Sequence, residues 1–175
     1  MTIHSDHPFR TPDEGRDALR QVRGRMAAPA TVWATGSGRD RVGLTVSSVL
    51  VAEGDPAHVI GLLDPIADLT ERLVDGGSFT VNVLAAGQEF LAGVFAGHEP
   101  APGGPFTQGE WTDGPHGPVL AGAAGHLGAD VTACDQQVGW SVLVDGVVRH
   151  AEAQDVEALV HLRGAFRRVT AQPGR

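Results

Sequence analysis

The chain has 175 residues and a net charge of −8; its 13 basic residues are all Arg, it has no Tyr, and Cys134 is its one cysteine. Without Lys there is no Schiff-base catalysis and no P-loop, whose phosphate grip needs an ammonium group, and without Tyr there is no phenolic acid. One thiol makes neither an intramolecular disulfide nor a multi-cysteine metal centre, so any catalysis falls to His, Asp, Glu, Ser, Thr, one thiol or a borrowed cofactor.

The acidic balance has no Lys/Arg run to offset it, which argues against a nucleic-acid partner. The longest apolar runs, such as Val46–Ala52, fall far short of the ~20 residues of a membrane span. A cytoplasmic protein with no membrane partner is expected. Residues 1–13 are polar and aperiodic and read as a flexible N-terminal arm, residues 14–170 as a single domain and residues 171–175 as a tail.

In chain order, a helix is expected from Pro12-Asp13-Glu14 to a stop before Pro29, burying Leu19, Val22 and Met26 on one face. Short β-type segments follow at Ala30–Thr35, Val42–Leu50, His58–Leu63 and Ser78–Leu84, with Gly36–Asp40 as a hairpin loop and Glu53–Pro56 as the next break. Two short helices are expected at Asp68–Asp75 and Gln88–Ala96. Residues 97–118 are rich in Pro and Gly and read as an irregular excursion, ordered only if Phe106 and Trp111 anchor it. Strands at Val119–Ala133 and Gly139–His150 come next, and Val156, Leu159, Val160 and Val169 read as a closing helix or strand–turn. The succession is that of a mainly β protein with flanking helices, built as an antiparallel barrel.

The common motifs fail one by one. Gly36-Ser37-Gly38 has Arg41 where a dinucleotide fingerprint needs its third glycine, and a strand pattern follows it. There is no GxSxG, and His98-Glu99 runs into Pro100 rather than toward a second His. No two His stand at i, i+4 and His116 and His126 are ten apart, so no metal site is expected. Cys134 ends an apolar run with no basic neighbour and reads as a small buried hydrophobe; a nucleophile would need a His from elsewhere in the fold.

The segment Gly43-Leu44-Thr45-Val46-Ser47-Ser48 stands out. As a strand it turns Gly43, Thr45 and Ser47 to one face and Leu44 and Val46 to the other, with Ser48 at a turn or bulge that frees backbone N–H groups. Such a surface can hold a phosphate with neutral donors, or it is a surface strand whose hydroxyls face water.

Here the chain resembles the flavin-reductase-like, FMN-binding split-barrel family. The family's TxSS strand end is matched by Thr45, Ser47 and Ser48, and its FxVNVL strand by Phe79–Leu84. Its Q…LA…FAG helix is matched by Gln88, Leu91-Ala92 and Phe95-Ala96-Gly97. Gly117-Pro118-Val119-Leu120 resembles its GxPxL, and Arg163-Gly164 with Phe166 its RGxY. The match runs in order from Leu19 to Val169.

The resemblance implies a six-stranded Greek-key split β-barrel that forms a homodimer and binds FMN, or FAD, at the interface. It implies flavin reduction by NADH or NADPH, with a flavin-dependent monooxygenase as partner. By carry-over Thr45, Val46, Ser47 and Ser48 contact the flavin phosphate and ribityl chain. Leu63, Asp64 and Asn82 border the ribityl chain or ring, and Arg72 is a counter-charge. For Leu63 the plain alternative is a core residue, and for Asn82 a strand residue satisfying local backbone.

Arg163, Gly164 and Phe166 fall on the nicotinamide side. The family's GDH segment, whose His receives the nicotinamide, aligns with Val138-Gly139-Trp140, so Trp140 replaces that His. An indole offers a stacking face and one N–H but does not titrate near neutrality. Trp140 then stacks on the nicotinamide, restricts its access, or is a packed barrel residue.

Overall fold

The computed structural model describes residues 18–74 and 76–169. The expected arm, the tail and the beginning of the first helix lie outside the described residues.

The elements are α1 (Ala18–Arg25), β1 (Ala28–Pro29), β2 (Thr31–Thr35), β3 (Val42–Val46), β4 (Val49–Ala52), β5 (His58–Leu63), α2 (Asp68–Val74), β6 (Ser78–Val83) and α3 (Glu89–Phe95). After a 3-10 turn at Pro105–Thr107 come β7 (Trp111–Gly114), β8 (Gly117–Leu120), β9 (Gly125–Val138), β10 (Ser141–Ala153), β11 (Leu159–Leu162) and β12 (Ala165–Arg168).

The main sheet is antiparallel and runs β3-β2-β6-β9-β10-β5-β4. It has seven strands where six were expected, because the segment expected as one strand over Val42–Leu50 breaks at Ser47-Ser48 into β3 and β4. These two strands are the two edges of the sheet, yet only two residues separate them. The sheet therefore curls back on itself, and the β4–β5 ladder extends into the link, where Leu62 N–H on β5 donates to the Ser48 carbonyl at 3.1 Å.

Period-2 alternation divides the strands between two cores. One face of β2, β3, β5, β6, β9 and β10 meets inside the curl, where Trp33, Val46, Val59, Leu63, Phe79, Val81, Ala129, Cys134 and Val144 pack with Leu69 and Leu73 of α2. Trp33 and Phe79 stack there with centroids 4.8 Å apart. The stack needs room, and two glycines give it: a Cβ at Gly61 would lie 2.6 Å from the Trp33 ring, and one at Gly146 would lie 2.8 Å from Phe79. On the opposite face of β2, Ala30 and Val32 join Leu84, Leu91, Ala92, Val94, Phe95, Leu120, Ala123 and Leu159 in a second core beneath α3.

The Pro/Gly-rich excursion is ordered as its aromatic anchors require. Phe95, Phe106 and Trp111 form a triangle of rings with centroids 5.0 to 5.3 Å apart, and β7 and β8 pair as a hairpin beyond it. The expected strand Val119–Ala133 splits at a turn where Gly122 has φ +68°, separating β8 from β9. The closing segment is the hairpin β11–β12, which with β1 makes a separate three-stranded sheet.

The first helix departs from expectation. α1 buries none of its residues, and Leu19, Val22 and Met26 are 72%, 58% and 66% exposed. The helix lies beside the small sheet rather than on the barrel, tied by the Arg163 N–H donating to the Gly24 carbonyl at 2.7 Å. In α3 the local spacing pairs Phe90 with Val94 and Phe95, but Phe90 faces outward while Leu91, Val94 and Phe95 carry the packing. Among the described residues no helix is long and apolar enough to cross a membrane.

Candidate functional site

Three chain segments converge at one end of the curled sheet. The β3–β4 link carries Ser47 and Ser48. The C-terminal end of β5 brings Leu62, Leu63 and Asp64 against it, since the Ser48 hydroxyl donates to the Leu62 carbonyl at 2.7 Å. β10 pairs Val142 with Leu63, which sets Trp140, in the β9–β10 turn, just beyond that pair.

Within this cluster the polar groups are unevenly engaged. Ser48 Oγ has given its proton to Leu62, whereas the Ser47 hydroxyl and the Ser47 and Ser48 amides donate to nothing among the described residues. Asp64 turns inward to local work: its Oδ1 accepts from Ile66 N at 3.1 Å, and its carbonyl accepts from Thr70 Oγ1 and Ala67 N, leading the chain into α2. Around them the surface is apolar and open, with Trp140 69%, Ile66 70% and Leu50 73% exposed. Neutral anion donors beside flat apolar surface form the donor set that a flavin phosphate and ring system require, so the residues present fit that group.

The other expected site residues are placed elsewhere. Thr45 faces the second core, and its hydroxyl donates to the Ala92 carbonyl of α3 at 2.7 Å. The alternation read from the sequence holds, but the hydroxyl face lies under a helix rather than facing water or a phosphate. Val46 is buried in the barrel core, with its carbonyl accepting from Thr31 Oγ1. Leu63 is also core, 1% exposed, so its side chain points away from any ligand.

Asn82 is fully buried. Its Nδ2 donates to the carbonyls of Val32 (3.3 Å) and Pro118 (3.1 Å), and its Oδ1 accepts from Leu120 N at 2.9 Å. These bonds clamp β8 to the sheet and leave no side-chain group for a flavin. Arg72 lines a cleft of about 370 Å³ with Val42, Asp68 and Glu71. Val42 is at the far end of β3 from Ser47, roughly 16 Å away at about 3.3 Å per residue, too far for a counter-charge at the link.

Arg163 and Gly164 form the tight turn of β11–β12, with φ of 54° and 76°, and belong to the separate sheet. Phe166 packs at the margin of the second core, 5.4 Å from the His161 ring. Burial, with help from Arg23 and His98, holds the His161 imidazole below its ordinary pKa. Burial, with the Asp135 charge, pushes the Cys134 thiol up, so Cys134 is the small buried hydrophobe the sequence implies.

Two polar arrangements were not foreseen. Asp113 on β7 accepts from Arg41 Nε at 2.7 Å and from Gly38 N at 3.0 Å, pinning the β2–β3 loop to the excursion. The guanidinium and amide hold its carboxyl below the usual range. His126, His150 and Glu152 meet on β9 and β10 although no sequence spacing linked them. Asp113 lies more than 70 residues from its partners and reaches them by tertiary contact, and His126 is brought to His150 and Glu152 by the pairing of β9 with β10.

The fold and this site are those of a flavin-reductase-like protein: the family model for the flavin reductase like domain matches residues 23–170, and the chain belongs to that family. Among its relatives, the FMN reductase (NADH) RutF of Ancylobacter novellus is 27% identical over 165 residues, covering 94% of this chain and 91% of that protein. The 4-hydroxyphenylacetate 3-monooxygenase reductase component of Salmonella typhimurium is 27% identical over 157 residues, covering 88% and 92%. Among solved structures, the Streptomyces globisporus NADH:FAD oxidoreductase SgcE6, in complex with NAD and FAD fragments, superposes with a TM-score of 0.80 at 29% identity, covering 91% of this chain and 96% of that one.

Proposed function

We propose that this protein is an NAD(P)H-dependent flavin reductase that binds FMN, or FAD, at the end of the barrel formed by Ser47-Ser48, Leu62–Asp64 and Trp140. The observation that carries the reading is the β3–β4 link, whose Ser47 hydroxyl and two amides donate to nothing among the described residues and lie beside an exposed apolar surface. When bound, the flavin supplies the hydride acceptor, taking two electrons and a proton as hydride from the nicotinamide.

The chain's own residues do the rest. The amides of Ser47 and Ser48 and the Ser47 hydroxyl bind the phosphate without a cation, as a chain with no Lys requires. Trp140 gives the nicotinamide side a broad apolar wall that stacks and sheds water, in place of an ionisable imidazole. No side chain has to give or take a proton for the hydride to move.

In this reading β3 and β4 act as one strand bent at Ser47-Ser48, which makes the sheet a six-stranded Greek-key barrel. β4 exposes both Leu50 and Val51, at 73% and 56%, along an open edge, and that apolar edge supports a homodimer. The partner is a flavin-dependent monooxygenase, a reading supported by the relative named as a monooxygenase reductase component. The single buried, unpaired thiol supports a cytoplasmic location.

Anaerobic stopped-flow mixing of the FMN-loaded protein with NADH, then NADPH, tests the activity. Rapid loss of the flavin's visible absorption with either is expected. Binding of FMN with no bleaching by saturating amounts of both would leave a flavin-binding protein without reductase activity, the alternative that Trp140 in place of a His raises.

A further inference from the structure

The β9–β10 pair also assembles a cluster on the outer face of the barrel, at the end of the hairpin opposite Trp140. His126 stands directly across from Glu152, and His150 precedes Glu152 by two residues on the same strand. A metal-binding atom from each of the three lies within 4.8 Å of those of the other two, and the two imidazole rings are 5.6 Å apart.

The arrangement depends on a β-bulge. Val148 packs against the barrel core and pairs with Ala129, which is also in that core. Unbroken alternation would turn His150 inward with Val148. The register shifts between Val148 and His150, so that His150 pairs with Gly128, and Arg149 is the extra residue. That shift turns His150 and Glu152 to the outer face, where His126 already stands beside Asn82.

The surroundings free these groups for a ligand. Gln154 Nε2 donates to Glu152 Oε1 at 2.7 Å, steadying the carboxylate while leaving its second oxygen available. The nearby Asp130 is taken by Arg149 Nε at 2.7 Å, and His116, which covers Gly128, has its Nε2 3.9 Å from the same carboxylate. Among the described residues, Asp130 and Arg149 are thus engaged with each other rather than with the three ligands.

We propose that His126, His150 and Glu152 bind one divalent transition-metal ion of the zinc class. Two imidazoles and a carboxylate suit Zn²⁺, Co²⁺, Ni²⁺ or Cu²⁺ and not Ca²⁺ or Mg²⁺, which take oxygen ligands. Bond lengths of about 2.0–2.2 Å bring donors to roughly 3.3 Å from one another, a closure of about 1.5 Å at most, which half-exposed side chains on a fixed ladder make by small rotations. With three protein ligands, one coordination position stays open to water or another donor. The ion would tie the base of the long hairpin whose turn carries Trp140.

The test uses the full chain, free of any affinity tag, stripped with a chelator and titrated calorimetrically with Zn²⁺, then with Co²⁺ while its visible spectrum is recorded. Expected are one ion per chain and a Co²⁺ spectrum of low coordination number. Each of His150→Ala and Glu152→Gln, both at exposed positions, should weaken binding by about tenfold or more. The proposal is overturned if no heat appears at about 100 μM Zn²⁺, or if the isotherm is the same in both variants, which would assign the ion to other histidines. Neither readout involves flavin or nicotinamide, so it stands or falls apart from the reductase reading.

Discussion

Asn82 and Ser47 are both polar residues at strand positions that resemble family motifs, but the fold treats them oppositely. Asn82 spends every side-chain hydrogen bond inside the protein, clamping β8 against the paired strands β2 and β6. Ser47 spends none among the described residues, and the amides at the β3–β4 link are equally unspent. A polar group that is satisfied and buried contributes stability, while one left undonated at an open edge is available to a ligand. The contrast separates residues that hold the site from residues that serve it.

The largest effect should come from breaking the clamp. Asn82→Ala leaves the buried Leu120 N without its acceptor and removes a donor from the Val32 and Pro118 carbonyls, at a cost of about 3 kcal/mol. For a domain of this size that lowers the melting temperature by about 6–12 °C, measurable by circular dichroism without flavin. A shift under about 2 °C would mean the clamp is dispensable.

Charge at the link should do the reverse. In Ser47→Asp a carboxylate meets the proposed phosphate at an estimated repulsion of about 1–4 kcal/mol, raising the FMN dissociation constant by about tenfold or more. The melting temperature should move by no more than about 1 °C. Unchanged FMN affinity by fluorescence quenching would remove Ser47 from the site and blur the contrast.

The smallest effect concerns Asp113, whose carboxyl is held low chiefly by the Arg41 hydrogen bond and then by Gly38 N. Its pairing stabilises the fold above the ordinary carboxylate value of 3.8, and the contribution is lost as pH falls below that toward the lowered folded value. Wild type should therefore melt slightly above Asp113→Asn at pH 5–7, with the difference vanishing in acid. The pair is exposed, so the gap is small; a difference that grew in acid would contradict the assignment.

These contrasts bear on what the sequence made legible. Strands β2, β5 and β6 and helices α2 and α3 are readable because local alternation or i, i+4 spacing decides them, and Phe106 and Trp111 were identified as the anchors of the excursion. The exposure of Leu19, Val22 and Met26 was not legible: an amphipathic stripe announces a partner surface, not where it is. Ser47-Ser48 could be singled out because the break in alternation is local. The satisfaction of Asn82 and Thr45 could not, since the partners of Asn82 at Pro118 and Leu120 lie 36 and 38 residues away, and that of Thr45 at Ala92 lies 47 away. Nor could the His126–His150–Glu152 cluster, which a bulge at Arg149 alone brings to one face.

Trp33 leads to an optical consequence. Its indole is wholly buried against Phe79, with Nε1 unpaired. The chain has no tyrosine and three tryptophans, so its ultraviolet emission is tryptophan emission alone. Trp33 emits from a hydrocarbon-like cage, Trp111 from a half-buried position with Nε1 bonded to the Gln108 carbonyl, and Trp140 from water. The blue part of the spectrum thus reports the integrity of the barrel and the red part the hairpin turn, so one emission scan distinguishes unfolding from events at the barrel's end.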